Sequence, residues 1–285
     1  MLSWYAQILV NGFGTGMLYL LIVLGFTLIY GVMRVVNFAH GHLYMLGAMF
    51  AHILTVSLGM NFWLGLVASA VLVGLLGIIL ERLVFHPLLD NHIASAVSAI
   101  GVFVFIGGVT EALMGGHVRG VESPWKGAVN IGDVIISGDR FIMIIASLIV
   151  VTAFFVLMKF TKVGRATRAV VDDTEMATVQ GVNPATIYIV NFAVAAACAG
   201  FAGALVSPVM GAAPDMAFPA LNRAFIIVVL GGVGSIPGAI VAALFLGFFD
   251  STVTTLISSQ VAEMGAFVMV GILLVFRPLG LFGKA

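Results

Sequence analysis

Residues 224–249 read AFIIVVLGGVGSIPGAIVAALFLGFF, a run of 26 residues without a charged side chain. A helix that crosses the hydrocarbon core of a membrane needs about 20 apolar residues. Four glycines and one proline interrupt the run at 231–238, and a straight helix does not continue through such a segment. The run therefore predicts either one membrane span that is broken at its middle or two short spans that meet at a tight turn.

Other apolar runs of similar length occur on both sides of this one. The further predicted spans are 5–30, 38–58, 62–80, 93–114, 141–158, 187–209 and 261–276. A β-barrel would show alternating segments of about ten residues rather than continuous apolar runs. The pattern predicts an all-α fold: a polytopic transmembrane helical bundle with eight or nine spans, forming a single transmembrane domain over residues 1–285.

The composition agrees with a membrane protein. Hydrophobic residues make up 62% of the chain and charged residues only 8%, with 12 basic and 12 acidic side chains. So few charges cannot cover the surface of a soluble domain. A soluble enzyme, a disordered protein and a nucleic-acid binder with a basic face are therefore excluded. Because no basic segment precedes residue 5, we expect 5–30 to be a retained first span rather than a cleaved signal.

Basic residues predict the orientation of the bundle. The loop at 159–186 contains Lys159, Lys162, Arg165 and Arg168, which assigns it to the cytoplasm. Counting spans from this loop places Arg34 and Arg82 inside and makes 115–140 the largest external loop. Arg277 and Lys284 also favour the inside, which favours nine spans and an external N-terminus.

The same loop predicts a short cytoplasmic helix. Asp172, Asp173 or Thr174 can cap its start, and Glu175 in the first turn suits the positive end of the helix dipole. Gly181 can end the helix in the left-handed conformation. Such a helix is either a docking site for a partner or a solvated connector, and the pattern leaves both interpretations open.

These residues also carry a family resemblance. Glu175, Met176 and Ala177, followed by Gly181, resemble the EAA…G coupling loop of ABC-importer permeases, with methionine at the second family position. Four longer runs, 25–41, 164–169, 224–239 and 276–282, resemble in the same order the branched-chain amino acid permease of LivH type. The wider family includes permeases for urea and short amides.

The resemblance implies a permease subunit that moves branched-chain or other small neutral amino acids across a bacterial inner membrane by alternating access. It implies four kinds of partner: a second related permease subunit, two cytoplasmic ABC ATPases, a periplasmic substrate-binding protein and the lipid bilayer. The residues expected to couple to the ATPases are Arg165, Arg168, Asp172, Asp173, Glu175, Ala177 and Gly181. The chain has no G-x-x-x-x-G-K-[ST] phosphate loop. We therefore expect no enzymatic activity and no cofactor in this chain, with ATP and Mg²⁺ bound by its partners.

Two segments are candidates for the translocation pathway or its gate. Asn37, His40 and Gly41 lie at the start of the second predicted span, where they either hydrogen-bond a zwitterion or satisfy helix ends. Gly231, Gly232, Gly234 and Ser235 lie in the glycine-rich break, where half-helix ends either face a ligand or form a plain turn.

Other functional classes are less well supported. The six histidines and the single cysteine show no spacing typical of a metal site. One Asn-Pro-Ala at 183–185 falls short of the two copies that an aquaporin-like channel needs. An intramembrane enzyme with Ser235 as nucleophile would need a histidine as base, but the histidines lie in other spans and no orienting carboxylate is evident. Glu111 and Asp250 are expected near span ends. Span centres without charge argue against an ion-coupled secondary transporter.

Overall fold

The fold is known from a computed structural model that describes residues 2–132 and 134–283, so Lys284 lies outside the described residues. The helices are α1 Leu2–Met33, α2 His40–His52, α3 Phe62–Leu80, α4 His92–Met114, α5 Gly138–Phe160, α6 Lys162–Asp172, α7 Thr174–Val179, α8 Pro184–Met210, α9 Ala217–Gly231, α10 Ile236–Leu256 and α11 Ser259–Phe276. One antiparallel hairpin, β1 Ala128–Ile131 and β2 Val134–Ser137, lies within the loop 115–140. The prediction of an all-α bundle is confirmed, apart from this hairpin, which the sequence analysis missed.

The bundle has two ends that differ in their connections. We call one the hairpin end, where the Ile135 amide donates to Gln7 Oε1 at 3.2 Å and a backbone bridge joins Arg119 to Ala212. We call the other the α7 end, where Arg34, His92 and Asp172 line a common surface cavity. The N-terminal part of α1 is thus at the hairpin end. The basic residues Arg34 and Arg119 lie at opposite ends, as the span count predicts.

Eight helical segments of the described chain are long and apolar enough to cross a membrane. They are Trp4–Met33, Phe62–Leu88, His92–Met114, Gly138–Phe160, Pro184–Met210, Pro214–Gly231, Ile236–Leu256 and Ser259–Phe276. Most of the first is buried, whereas His92–Met114 and Ser259–Phe276 are largely exposed and apolar. Apolar side chains that face outward along whole helices are typical of contact with lipid. The chain is therefore a multi-pass membrane protein.

The predicted span 38–58 is not among these eight, and its helix, α2, begins inside the bundle. His40, the first residue of α2, bonds through Nε2 to the carbonyl oxygen of Ile22 at 2.9 Å. Ile22 lies 11 residues before the end of α1, which is about 16 Å along a helix. Residues 34–39 cover this distance without helical structure, after a turn at Arg34 in the left-handed region (φ 53°).

The run 224–249 forms two helices rather than one broken span. α9 and α10 are antiparallel neighbours joined by residues 232–235. Gly232 (φ 99°) and Gly234 (φ 80°) adopt a backbone conformation that side chains with a Cβ disfavour. Ser235 caps α10 by accepting from the Gly238 amide at 3.2 Å. The second interpretation of the sequence, a tight turn between two spans, is confirmed.

Close helix contacts depend on glycine. α8 packs against α1, α2 and α3, and a Cβ on Gly203 of α8 would overlap the carbonyl oxygen of Tyr44 in α2. Likewise, Gly16 of α1 approaches the backbone of Gly247 in α10. Small residues that let membrane helices approach are the usual means of association where lipid removes the hydrophobic driving force. Gly203 and Gly16 thus allow their helices to pack closely.

Candidate functional site

The loop 159–186 contains two helices, where the sequence analysis predicted one. α6 begins after Thr161, whose side chain accepts from the Gly164 amide at 3.1 Å. α7 begins after Asp173, whose Oδ1 accepts from the Met176 amide at 2.9 Å. Of the three predicted caps, Asp173 is thus the one used for α7. Gly181 has φ 84°, so the predicted left-handed end of this helix is confirmed.

Most of the predicted coupling residues are exposed at the α7 end. The exposed members are Arg165, Arg168, Asp172, Asp173, Glu175 and Gly181, whereas Ala177 is buried. Arg168 and Arg165 also donate to the backbone carbonyls of Met158 and Phe160, the latter at 3.4 Å. Cations suit these positions because the last carbonyls of a helix, here α5, lack intrahelical partners.

α7 presents apolar side chains away from the bundle. Met176 is 60% exposed and Val179 83% exposed, although α7 lies outside the segments that can span a membrane. Exposed large apolar groups that lipid does not cover indicate an interaction surface. The surface formed by residues 174–181 is called the α7 surface below.

α6 connects this surface to the membrane-spanning helices. The Thr167 hydroxyl of α6 and the Asn191 amide of α8 bond to each other at 3.0–3.2 Å, and both side chains are buried. Asn191 Nδ2 also donates to the carbonyl oxygen of Ile187 at 2.8 Å. These bonds attach α6 to α8, which in turn packs against α1, α2 and α3.

The first group of predicted pathway residues stabilises the non-helical segment before α2. Asn37 Oδ1 accepts from the Ala39 amide at 3.1 Å, and His40 bonds to α1 as described above. Gly41 lies against the carbonyl oxygen of Ala217 at the start of α9. The Asn37 side chain gives the Ala39 amide the partner that a helix would have supplied.

The second group lies elsewhere, at the turn between α9 and α10. Gly231 is in contact with Gly238 across the turn, and Gly234 is near Gly31 of α1 at the α7 end. The amides of Leu281 and Phe282 donate to the carbonyl oxygens of Leu230 and Gly231 at 2.9 and 3.1 Å. Gly232 and Ser235 shape the same turn. The structure thus separates the two predicted groups by depth in the bundle.

A buried cluster of polar side chains joins three helices, and the sequence analysis missed it. Arg223 Nη1 of α9 lies 3.3 Å from Asp250 Oδ1 of α10, and the Tyr19 hydroxyl of α1 donates to Asp250 Oδ2 at 2.7 Å. The Arg223 side chain is 16% exposed and that of Asp250 8%. The prediction that span centres carry no charge is therefore wrong, since Arg223 is at the middle of α9.

One sequence signal could have identified this pair. Arg223 and Asp250 are the charged residues that border the run 224–249, and the sequence predicts Asp250 near a span end. The run folds into two antiparallel helices, α9 and α10, and their turn lies near the middle of the run. Arg223 and Asp250, at its two borders, therefore come to the same depth in the bundle. Two opposite charges that border such a run indicate a pair wherever the run turns back.

A cavity of about 350 Å³ lies beside this cluster. Its lining extends from Val118 and Gly211 in the loops at the hairpin end to Tyr19 and Arg223 inside the bundle. Much of the remaining lining is aliphatic: Leu18, Ile22, Ala213, Met216, Pro219 and Ala220. Within the described residues, none of the seven predicted pathway residues lines this cavity. A concave, mostly apolar site with a few polar groups is typical of binding sites for small molecules.

The described part of the chain contains no group of three or more His, Cys, Asp or Glu side chains placed to hold a metal ion.

Comparison with known proteins identifies the relatives of this chain. The family described as "Branched-chain amino acid transport system / permease component" matches residues 8–276. The high-affinity branched-chain amino acid transport system permease protein BraD of Pseudomonas aeruginosa is 30% identical over 98% of this chain and 96% of its own length. The permease protein LivH of the corresponding Escherichia coli system is 28% identical over 99% of this chain and 96% of its own length. LivM of Escherichia coli is 26% identical over 93% of this chain and 68% of its own length. No solved structure matches.

Proposed function

The chain belongs to the family of branched-chain amino acid transport system permease components, and on that premise we propose that it is the membrane-spanning subunit of an ATP-driven ABC importer. It moves branched-chain or similar small neutral amino acids by alternating access. The aliphatic lining of the cavity beside Arg223 supports a substrate with an apolar side chain over urea or a short amide.

The observation that carries this proposal is the α7 surface. A six-residue helix is marginal in isolation, yet this one has a capping side chain at its start and a left-handed glycine after its end. It exposes Met176 and Val179, and it belongs to none of the candidate membrane spans. Such a surface fits an apolar groove on a cytoplasmic ATPase subunit, which binds the ATP and Mg²⁺.

The contacts of α6 and α7 suggest how ATP hydrolysis drives transport. Closure of two ATPase subunits moves α7, and the paired Thr167 and Asn191 side chains carry the movement from α6 to α8. α8 packs against α1, α2 and α3, and α1 packs against α9 and α10. The helices around the cavity therefore shift together, and access changes from one membrane side to the other.

The remaining partners follow from the relatives. LivH and LivM are both named as permease proteins of branched-chain amino acid transport systems in Escherichia coli, and this chain is similar to both. This similarity supports a complex with a second, related permease subunit in a bacterial inner membrane. A periplasmic binding protein would deliver the amino acid to the hairpin end.

Co-purification from the native membrane tests the proposed complex. The full chain, tagged and extracted in mild detergent, should bring with it two ATPase subunits and a second permease. Recovery of the chain alone, with transport activity retained, would instead indicate a self-contained channel or secondary transporter.

Cysteine labelling tests the orientation. Cys198 is buried and is the single cysteine of the chain, so the native protein should react little with a membrane-impermeant maleimide. Val179→Cys at the α7 end should be labelled in inside-out vesicles and protected in intact spheroplasts. The matched variant Val118→Cys, at the hairpin end and 64% exposed, should give the reverse result. Labelling of Val179→Cys from the periplasmic side would exclude a role in ATPase docking.

A further inference from the structure

The buried cluster of Tyr19, Arg223 and Asp250 leaves hydrogen-bonding capacity unused. A guanidinium has five N–H donors, but Arg223 Nη1 has no hydrogen-bond acceptor among the described residues, because its contact with Asp250 lacks hydrogen-bond geometry. Asp250 Oδ1 likewise accepts no hydrogen bond in the described part of the chain. An incompletely bonded ion pair inside a bundle is costly, since desolvation of two charges exceeds their attraction unless further bonds are made. A ligand that brings an acceptor to Arg223 would offset that cost.

The cavity beside the cluster limits what such a ligand can be. Arg223 is the basic residue in the lining, and Asp215 is the acidic one. Asp215 is exposed, in the short helical turn Pro214–Met216 at the start of α9. The rest of the wall is mostly aliphatic, with Ile22 and Met216 among its members, and Tyr19 and Tyr44 also line it. The combination of one cation, one carboxylate and an apolar wall matches a small zwitterion with an aliphatic side chain.

We propose that this cavity binds the transported amino acid, with Arg223 as the residue that binds the α-carboxylate and Asp215 as the residue that faces the α-ammonium group. This inference rests on the proposed function and adds the site at which the permease itself recognises its substrate. A guanidinium is suited to the task because its planar fork donates hydrogen bonds to both oxygens of a carboxylate. Asp250 and Tyr19 are positioning residues: they hold Arg223 at the cavity wall and offset its charge when the site is empty.

Direct binding tests the inference. The complete transporter complex, without its periplasmic binding protein, is placed in lipid nanodiscs, and binding of radiolabelled leucine is measured with unlabelled competitors. Isoleucine and valine should compete with leucine. Leucinamide, which lacks the carboxylate, and 4-methyl-2-oxopentanoate, which lacks the ammonium group, should each compete about tenfold or more less well, because each loses a charge-assisted contact. Equal competition by leucine and leucinamide would overturn the assignment without any variant.

Substitutions then assign the charges. Arg223→Gln should weaken leucine binding about tenfold or more, and Arg223→Lys should recover part of the loss because it retains the charge but not the fork. Asp215→Asn, at an exposed position that does not endanger the fold, should weaken leucine but leave 4-methyl-2-oxopentanoate unaffected. Glu81→Gln is the matched control, because Glu81 is a fully buried carboxylate paired with His86 at 3.0 Å and does not line the cavity. It should leave leucine affinity unchanged.

Two failures are distinguishable. If the wild-type complex imports leucine with ATP but Arg223→Gln and Asp215→Asn bind leucine as Glu81→Gln does, the inferred site is wrong and the proposed function stands. If no ATPase accompanies the chain and ATP drives no uptake, the proposed function is wrong whatever the cavity binds. A stable Arg223→Gln variant that binds leucine more weakly and no longer prefers leucine over leucinamide would support the assignment.

Discussion

Replacing Asp173 with Ala and Gly181 with Val is expected to leave the chain folded in the membrane but to abolish ATP-driven transport. Asp173 caps the first amides of α7, and its loss costs about 1 kcal/mol. Gly181 has φ 84°, and a β-branched residue there costs about 1–3 kcal/mol. A helix of six residues cannot absorb both costs. The α7 surface should therefore unfold locally while the membrane helices keep their contacts.

Two measurements check this prediction. The double variant should retain a wild-type melting profile for its membrane domain, but the ATPase subunits should dissociate from it. Uptake should fall about a hundredfold or to background, because a loss of roughly 3 kcal/mol of interaction free energy corresponds to this factor.

The chain offers a matched control at the hairpin end. Asn61 caps α3 by accepting from the Trp63 amide at 2.9 Å, and Gly59 has φ 65°. Asn61→Ala combined with Gly59→Val loses a cap and a left-handed glycine in the same way, but far from the α7 surface. It should retain the ATPases. Equal loss of ATPases in both double variants, or full transport by Asp173→Ala with Gly181→Val, would contradict the docking role.

Gly203→Ala is expected to destabilise the bundle severely. The added methyl group would overlap the backbone carbonyl of Tyr44, so α2 and α8 would have to separate. Overpacking of this kind costs typically about 1–3 kcal/mol and more when backbone must move. We expect lower yield and a lower melting temperature in detergent, measured by size-exclusion chromatography after heating.

Gly108→Ala in α4 provides the control. A Cβ at Gly108 meets nothing within 4 Å, and alanine favours a helix over glycine by about 1 kcal/mol. Its melting temperature should be equal to or above that of the wild type. If Gly203→Ala and Gly108→Ala melted alike, the close approach of α2 and α8 would not contribute to stability.

Local features of this structure could be predicted from the sequence. Asp173, Gly181 and the Asn183–Pro184 start of α8 act within a few residues of themselves, so their roles follow from capping chemistry alone. The spans follow from hydrophobic length. α6 was missed because its polar residues resemble those of a connecting loop, although buried Gly164, Thr167 and Val170 are spaced by three.

Features that depend on distant contacts could not be predicted. Residues 34–39 lack helical structure because α2 begins against Ile22 of α1, and nothing in the segment 38–58 itself specifies that depth. The pairing of Arg223 with Asp250 follows from the sequence only if the run 224–249 turns back at its glycines, and the sequence also allowed a single broken span. That pair also removes the sequence argument against an ion-coupled transporter, so the assignment to an ATP-driven system now depends on the family and on the α7 surface.

Leucine uptake into sealed vesicles tests most directly whether this membrane protein is driven through α7 by partner subunits. Vesicles that contain the chain, a second permease, the ATPases and the binding protein should accumulate leucine when ATP is supplied on the α7 side. Vesicles that contain this chain alone should show no accumulation. Concentration of leucine by the chain alone, without ATP and without partners, would contradict the proposal.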